Sequence, residues 1–467
     1  MVNVSQRVQI IKALLLGCFL LTPACKIIPI QHSSNITSEI PKQFVFRGEI
    51  VSNKSLFWKQ SFPSEYLQND IQILFEENFE LRAARARVEQ ANAVYSTARS
   101  TLIPSLDAKT SFDRSRIKDN SGTTTKNTID IELPLHWEPD IWGKLRARKK
   151  AAFLSIEEQK ALADQTALDL QTMLVESWIT HHAACKLEQV LLEQQKANKQ
   201  FLDLTELRLA QGHGNALDVL QQRRNVVTIE RTLPTVLLKK YSAANAYAVL
   251  MGYPPDGRSL PEDELPDLEK LSSITTPYQL MTNRPDLRAV FLALQAADCQ
   301  VAAAIADRLP NLTIELSYGA SGNTLSKVGN ESVLSIVSGL LTPVFDAGYL
   351  KAKANQRKAE VQESLAILEQ AVLSAICEVE DTLIHEQLLF DKQKLLQKEI
   401  NIANDILTKA RLRYVNGQES YLTVLLALIE LQTLQQNEIE IQKDILVNRS
   451  HLLKAIGAKW SQQNGTN

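Results

Sequence analysis

Apolar residues recur every three or four positions from 63 to 102, at Leu67, Ile71, Leu74, Leu81, Ala84, Val88, Ala91, Tyr95 and Ala98. That spacing predicts helix, and Pro104 ends it. The period then falls to two. Leu106, Ala108, Thr110 and Phe112 alternate with Asp107, Lys109, Ser111 and Asp113. After a loop rich in Gly, Thr and Asn, Ile129, Ile131, Leu133 and Leu135 alternate with Asp130, Glu132 and Pro134. These runs predict strands at about 105–118 and 128–137, each with one apolar and one polar face. Residues 144–211 then contain neither Gly nor Pro. As a helix rising 1.5 Å per residue, that stretch is roughly 100 Å long. Gly212 and Gly214 stop it, and a return helix interrupted only by Pro234 runs to Met251-Gly252.

The same plan is used twice. Arg208–Leu220 (RLAQGHGNALDVL) returns as Arg413–Leu425 (RYVNGQESYLTVL), with Gly417 lying 205 positions after Gly212. Pro310 answers Pro104, Leu287 answers Leu81 and Gly457 answers Gly252. Alternating runs at about 311–320 and 332–342 supply two more strands, and residues 349–416 again lack Gly and Pro. Repeat 1 therefore spans 63–252, a Pro-rich linker 253–280, repeat 2 281–460 and a tail 461–467. Each repeat interrupts its long helix at a tip where the chain turns back.

This pattern sets the fold class: α+β and mostly α, with long antiparallel coiled-coil helices and four strands per chain. Four strands cannot close a barrel, and an open sheet has two unpaired edges, which lipid does not tolerate. Closure must therefore come from several chains. Two would give a barrel filled by side chains, while three give twelve strands and a lumen. The expectation is a homotrimer. Leu168, Leu170, Met173, Leu174 and Ile179 fit the apolar seam of the first long helix.

Composition narrows the function. A formal charge of −2 gives no electrostatic basis for nucleic-acid binding, and the chain after the N-terminus has no uninterrupted apolar run of about 18 residues. The N-terminus has Arg7 and Lys12, an apolar run over 13–21, then Thr22-Pro23-Ala24-Cys25. That is the layout of a signal peptide over 1–24, and a small residue before cysteine resembles the bacterial lipoprotein box. Cys25 is thus the expected lipidation site, with 25–62 a linker or equatorial segment; Lys26 in place of aspartate favours the outer membrane. Cys185, Cys299 and Cys377 are isolated and expected to be buried thiols. His181-His182 is expected on a solvated face. No nucleophile–base pair, phosphate loop or zinc motif stands out, so no enzyme is expected, and no cofactor beyond the lipid.

Taken together, the residues resemble the TolC family of outer-membrane channels, most closely its OprM/NodT lipoprotein branch. The resemblance rests on Ala91 to Pro104, on Trp137-Glu138-Pro139-Asp140-Ile141-Trp142-Gly143, and on the Asn283 to Leu287 opening of repeat 2. It rests most on Arg413-Tyr414, Gly417 and Tyr421-Leu422-Thr423, with Lys454-Ala455, Gly457 and Trp460 at the close. It implies a trimeric channel-tunnel: a twelve-stranded barrel in the outer membrane and a helical barrel crossing the periplasm. The implied partners are a periplasmic adaptor and an inner-membrane pump of the RND type, and the implied cargo is small molecules. A pore-less, lipid-anchored coiled-coil scaffold and a protein-secretion channel of the same fold are the alternatives.

The resemblance also places a docking and gating function at the tips, at Arg208, Gly212, Asp218, Arg413, Tyr414, Gly417, Glu419 and Ser420. The glycines suit helix C-caps with positive φ, and the arginines suit helix-end carbonyls. Where the family places an aspartate for a charged gate ring, this chain has Leu426; Asp218 in repeat 1 and Glu419 are the acids that remain.

Overall fold

The computed structural model describes residues 44–45, 58–119, 122–269, 277–329 and 331–458. The signal segment, Cys25, Trp460 and the tail lie outside the described residues. The elements are α1 (Trp58–Ser61), α2 (Glu65–Glu77), α3 (Phe79–Ser100), β1 (Ser105–Leu106), β2 (Lys109–Asp119), β3 (Gly122–Trp137), α4 (Lys144–Ala210) and α5 (Ala216–Leu250). There follow α6 (Pro277–Asn283), α7 (Pro285–Ala306), β4 (Asn311–Gly322), β5 (Glu331–Leu341), α8 (Tyr349–Val415) and α9 (Tyr421–Ala455). The chain forms two compact units, and neither coincides with a repeat: one takes 87–159 and 289–369, the other 39–86, 160–288 and 370–467.

The first unit holds the sheet. Its strands run in the order β2–β3–β4–β5, all antiparallel, with β1 continuing the β2 edge along β3. β1 and β2 keep one register, and the gap between them falls where Asp107 faces Pro134, which has no N–H to donate. The second strand begins at Gly122, earlier than its apolar alternation indicates, because the threonine-rich stretch pairs fully with β2.

Register sorts the side chains of β3 and β4 by polarity, whereas β5 adds Val333 and Val337 to the side that carries Glu315 and Ser317. Leu135, Leu316 and Ile336 lie side by side across three strands, as do Leu133, Tyr318 and Leu334. Leu133, Tyr318, Leu334 and Ile336 are all exposed. The opposite face carries Asp130, Glu132, His136, Glu315 and Ser317. At the foot of the sheet both long helices begin alike. Asp140 accepts the backbone N–H groups of Leu145 and Arg146 at 3.0 and 2.9 Å, and Asp346 accepts those of Gly348 and Leu350, both at 2.9 Å.

In the second unit Trp58, Phe62, Leu67, Ile71 and Leu74 are fully buried. The expected helix over 63–102 is two helices. Asn78 breaks it: its Oδ1 accepts from the N–H groups of Glu80 and Leu81, and its Nδ2 donates to the Leu250 carbonyl at 2.7 Å. Gly457, at φ +66°, ends the return helix of repeat 2 where a Cβ would stand 2.6 Å from the Asn283 carbonyl oxygen.

Three expectations are corrected. His181 and His182 are buried, not solvated: the ring of His181 faces the Lys240 carbonyl and Ser259, and that of His182 the carbonyls of Trp178 and Pro261. Both anchor the linker between repeats, a tertiary contact that local sequence does not announce. Cys377 is exposed and Cys185 half-buried, leaving Cys299 as the buried thiol. Met173 is exposed on α4, while Leu168, Leu170, Leu174 and Ile179 are buried as a seam requires. In addition α7, despite its charged residues, is long and apolar enough by composition to cross a membrane. Its Leu294, Ala303 and Ala304 are buried, and Cys299 packs with Ala151 and Leu154 of α4.

Candidate functional site

Both tips are built by the same capping chemistry. At the end of α4, Gly212 (φ +77°) donates its N–H to the Leu209 carbonyl at 3.0 Å and His213 donates to Arg208 at 2.9 Å. At the end of α8, Gly417 (φ +71°) and Gln418 repeat those bonds to Tyr414 and Arg413. Each pair is a Schellman closure, which needs the left-handed conformation that glycine adopts without a Cβ penalty. The outgoing helices start differently. Asn215 caps α5, its side chain accepting from Leu217 N–H at 3.0 Å. Ser420 holds the cap position of α9 without a side-chain cap bond; its hydroxyl lies 3.2 Å from that of Thr423, which donates to Glu419 at 3.1 Å.

The site residues fall into two groups. Arg208 stacks over the Tyr414 ring, 4.5 Å from its centroid, and Tyr414 lies 5.8 Å from the ring of Tyr421. The guanidinium is thus used against an aromatic face. Burial pushes the Tyr421 hydroxyl pKa well up, with further raising by the charges of Tyr414 and Asp218, which sits in the first turn of α5. So Arg208 of the first tip stacks on Tyr414 of the second, and the charge of Asp218 reaches Tyr421. Arg413, Glu419 and Ser420 form a local set, with Arg413 and Glu419 paired at 3.7 Å.

Behind the tips lies a buried amide chain that the sequence reading missed. The Tyr421 hydroxyl donates to Gln222 at 2.7 Å, and Gln222 and Asn225 donate to Asn198 Oδ1 at 3.1 and 2.7 Å. One turn further along α4, Gln194 bonds to Gln432, Gln435 and Gln436 of α9. The only sequence signal was Gln and Asn at positions where a coiled-coil seam normally carries Leu. Toward solvent the tips expose Leu207, Leu217, Leu220, Leu412 and Leu426. Among the described residues no group of three or more His, Cys, Asp or Glu is placed to hold a metal ion.

A four-stranded sheet apolar on one exposed face, in a chain with paired 67-residue helices ending in matched tips, has a counterpart among known proteins. The model of the outer membrane efflux protein family matches residues 71–253 and 276–458, one segment per repeat. The chain belongs to that family. It is a TolC-type outer membrane efflux protein by family and by fold. Among its relatives, the pyoverdine export outer membrane protein OpmQ of Pseudomonas putida is 27% identical over 88% of this chain and 89% of that protein. The cation efflux system protein CusC of Escherichia coli O157:H7 is 26% identical over 91% and 94%. The solved outer-membrane channel OprN superimposes with a TM-score of 0.83 at 23% identity, covering 91% of this chain and 96% of that one.

Proposed function

We propose that this efflux protein is the outer-membrane channel-tunnel of a tripartite system, passively conducting small molecules delivered by a periplasmic adaptor and an inner-membrane pump of the RND type. The observation that carries the reading is the sheet: an exposed apolar face backed by a polar one, with two edges that a single chain leaves unpaired. Three copies joined at those edges form a twelve-stranded barrel with lipid outside and water inside. Relatives named for pyoverdine export and for cation efflux differ in cargo, so membership alone does not name this chain's cargo. Reconstitution into planar bilayers tests the pore: discrete conductance steps are expected, and their absence with detergent-free solubility would favour the pore-less scaffold.

The tips are the docking and gating end in this reading. The Arg208–Tyr414 stack and the Tyr421–Gln222 hydrogen bond link the two hairpins, with the charge of Asp218 acting on Tyr421, so loosening this cluster lowers the cost of separating the tips. Asp218→Ala with Glu419→Ala is expected to raise entry of a large antibiotic into cells several-fold. Unchanged entry in cells carrying both substitutions, at equal protein level, would remove these acids from gating. Docking of the adaptor engages Gly212, Gly417 and the exposed leucines around them.

Lipidation at Cys25 follows from the lipoprotein-like box. Cells labelled with a radioactive palmitate are expected to mark the wild-type protein and not Cys25→Ser. Label retained on the variant would place the lipid elsewhere.

A further inference from the structure

At one rim of the sheet's apolar face the side chains turn from apolar to basic. The row of Phe112, Ile129 and Gly322 lies at that rim, and the row of Leu312 and Leu340 lies toward the foot of the sheet. From Leu312 to Gly322 the strand covers roughly 33 Å, or about 25 Å of height at the usual tilt. That is the height of the apolar band on an outer-membrane barrel. Arg114, Arg116 and Lys118 follow Phe112 on the same side of β2, roughly 7, 13 and 20 Å further along the strand. All three are exposed, and they stand across from the uncharged Asn127, Thr125 and Thr123.

No acid shares that side. Asp113, Asp130, Glu132 and Glu315 all have the opposite parity, and among the described residues none of the three bases is held in an ion pair. At the other rim the same side carries Leu106, Trp137 and Ile314 and no base. The chain as a whole is nearly neutral at −2, so a basic strip at one rim is a property of position and not of composition.

We propose that Arg114, Arg116 and Lys118 bind the phosphate groups of the phosphorylated glycolipid that forms the outer leaflet of the outer membrane. This rests on the pore reading above, in which the long helices leave the foot of the sheet toward the periplasm and the β2–β3 hairpin faces the exterior. The phosphates of that lipid sit on its sugars, at the boundary between acyl chains and water. The three cations stand just beyond the apolar band, at the same boundary. A guanidinium holds phosphate through two parallel hydrogen bonds. Each basic residue near an anionic lipid surface adds to the attraction, which salt screens. The strip thereby fixes glycolipid around the barrel at the places where divalent cations otherwise bridge neighbouring phosphates.

The test is native mass spectrometry of the detergent-solubilised protein titrated with lipid A in bisphosphorylated and dephosphorylated forms. The wild type should bind the bisphosphorylated form at least about ten-fold more tightly, with the difference shrinking as salt rises. The Arg114→Gln, Arg116→Gln, Lys118→Gln variant should lose at least about ten-fold in affinity for the bisphosphorylated form and keep its affinity for the dephosphorylated one. Lys109→Gln with Lys126→Gln, which removes cations from the opposite face, should change neither. Equal wild-type affinity for the two lipids would overturn the proposal, and so would a triple variant that binds as the wild type does. Inorganic phosphate that competes as well as lipid A itself would overturn it too, by showing a site for the free anion. Conductance of the same preparation in planar bilayers separates the two readings. Discrete steps with phosphate-indifferent lipid binding defeat the basic strip alone, whereas no discrete steps defeat the pore reading and the strip with it. The wild-type comparison of the two lipids decides the matter even where the triple variant does not assemble.

Discussion

An arginine in place of Leu316 should strip this protein from the outer membrane, whereas the same substitution at the next residue, Ser317, should leave it there. Leu316 pairs with Leu135 on one side and Ile336 on the other, within the apolar face. Ser317 pairs with Pro134 and Ser335 on the polar face. An arginine facing lipid near the bilayer midplane costs about 2–4 kcal/mol. A native fold is worth only about 5–15 kcal/mol per chain, so the penalty in each chain is a large share of its stability. The Ser317 arginine would project into water and lose nothing of that size. Outer-membrane fractions run unheated on denaturing gels report the assembled species: near-complete loss for Leu316→Arg, near-normal amounts for Ser317→Arg. Loss from Ser317→Arg alone would mean that the lipid and lumen faces are the reverse of those described, and equal loss from both would mean that the sheet does not separate lipid from water.

That test is available because the strands were legible from sequence. Alternation of period two is a local property, and it survives folding wherever one face meets apolar and the other polar surroundings. The long helices were legible for a similar reason, since the absence of Gly and Pro over the stretch before each tip leaves helix as the consistent choice. The matched glycines fixed the tips, because a Schellman closure needs positive φ at one position. What escaped was tertiary. Asn78 looked like one more polar residue in a helix, yet its amide bonds Leu250, some 170 positions away, and splits that helix in two. His181 and His182 looked solvated because no local pattern shows that the linker between repeats folds over them. The amide chain from Tyr421 to Asn198 was invisible for the same reason: Gln and Asn in a helix do not declare which way they face.

The candidate site was legible in position more than in chemistry. Arg208 and Arg413 occupy equivalent places in the repeat and yet do different things, one stacking on Tyr414 and the other pairing with Glu419. The difference arises from the residues around each arginine: the second tip supplies both the tyrosine and the glutamate, and the first supplies neither. A duplicated backbone thus carries two unlike contact sets.

Arg449→Met should strongly destabilise the second unit, and adding Glu386→Leu should recover much of the loss. Arg449 on α9 and Glu386 on α8 are both almost fully buried, at 4% and 5% side-chain exposure, and bonded at 2.8 and 3.1 Å. Arg449 also donates to the Glu269 carbonyl at 2.8 Å, tying down the end of the described linker. Removing the guanidinium takes from the buried Glu386 carboxylate both of its hydrogen bonds to Arg449, a loss of up to about 3–5 kcal/mol. Removing both charges exchanges the pair for apolar packing, often close to neutral. One loss then persists, the hydrogen bond to the carbonyl of the exposed Glu269, worth about 0.5–1.5 kcal/mol. Thermal unfolding of the detergent-solubilised protein should therefore rank wild type first, the double variant second and Arg449→Met last. Limited proteolysis should cut near Glu269 in both variants, because each lacks the donor that holds that carbonyl. A double variant no more stable than the single one would show that the buried carboxylate is not the source of the cost. Protection at Glu269 in both variants would mean that the linker is held by Asp263 and Asp267, through Ser64 and Gln442, without help from Arg449.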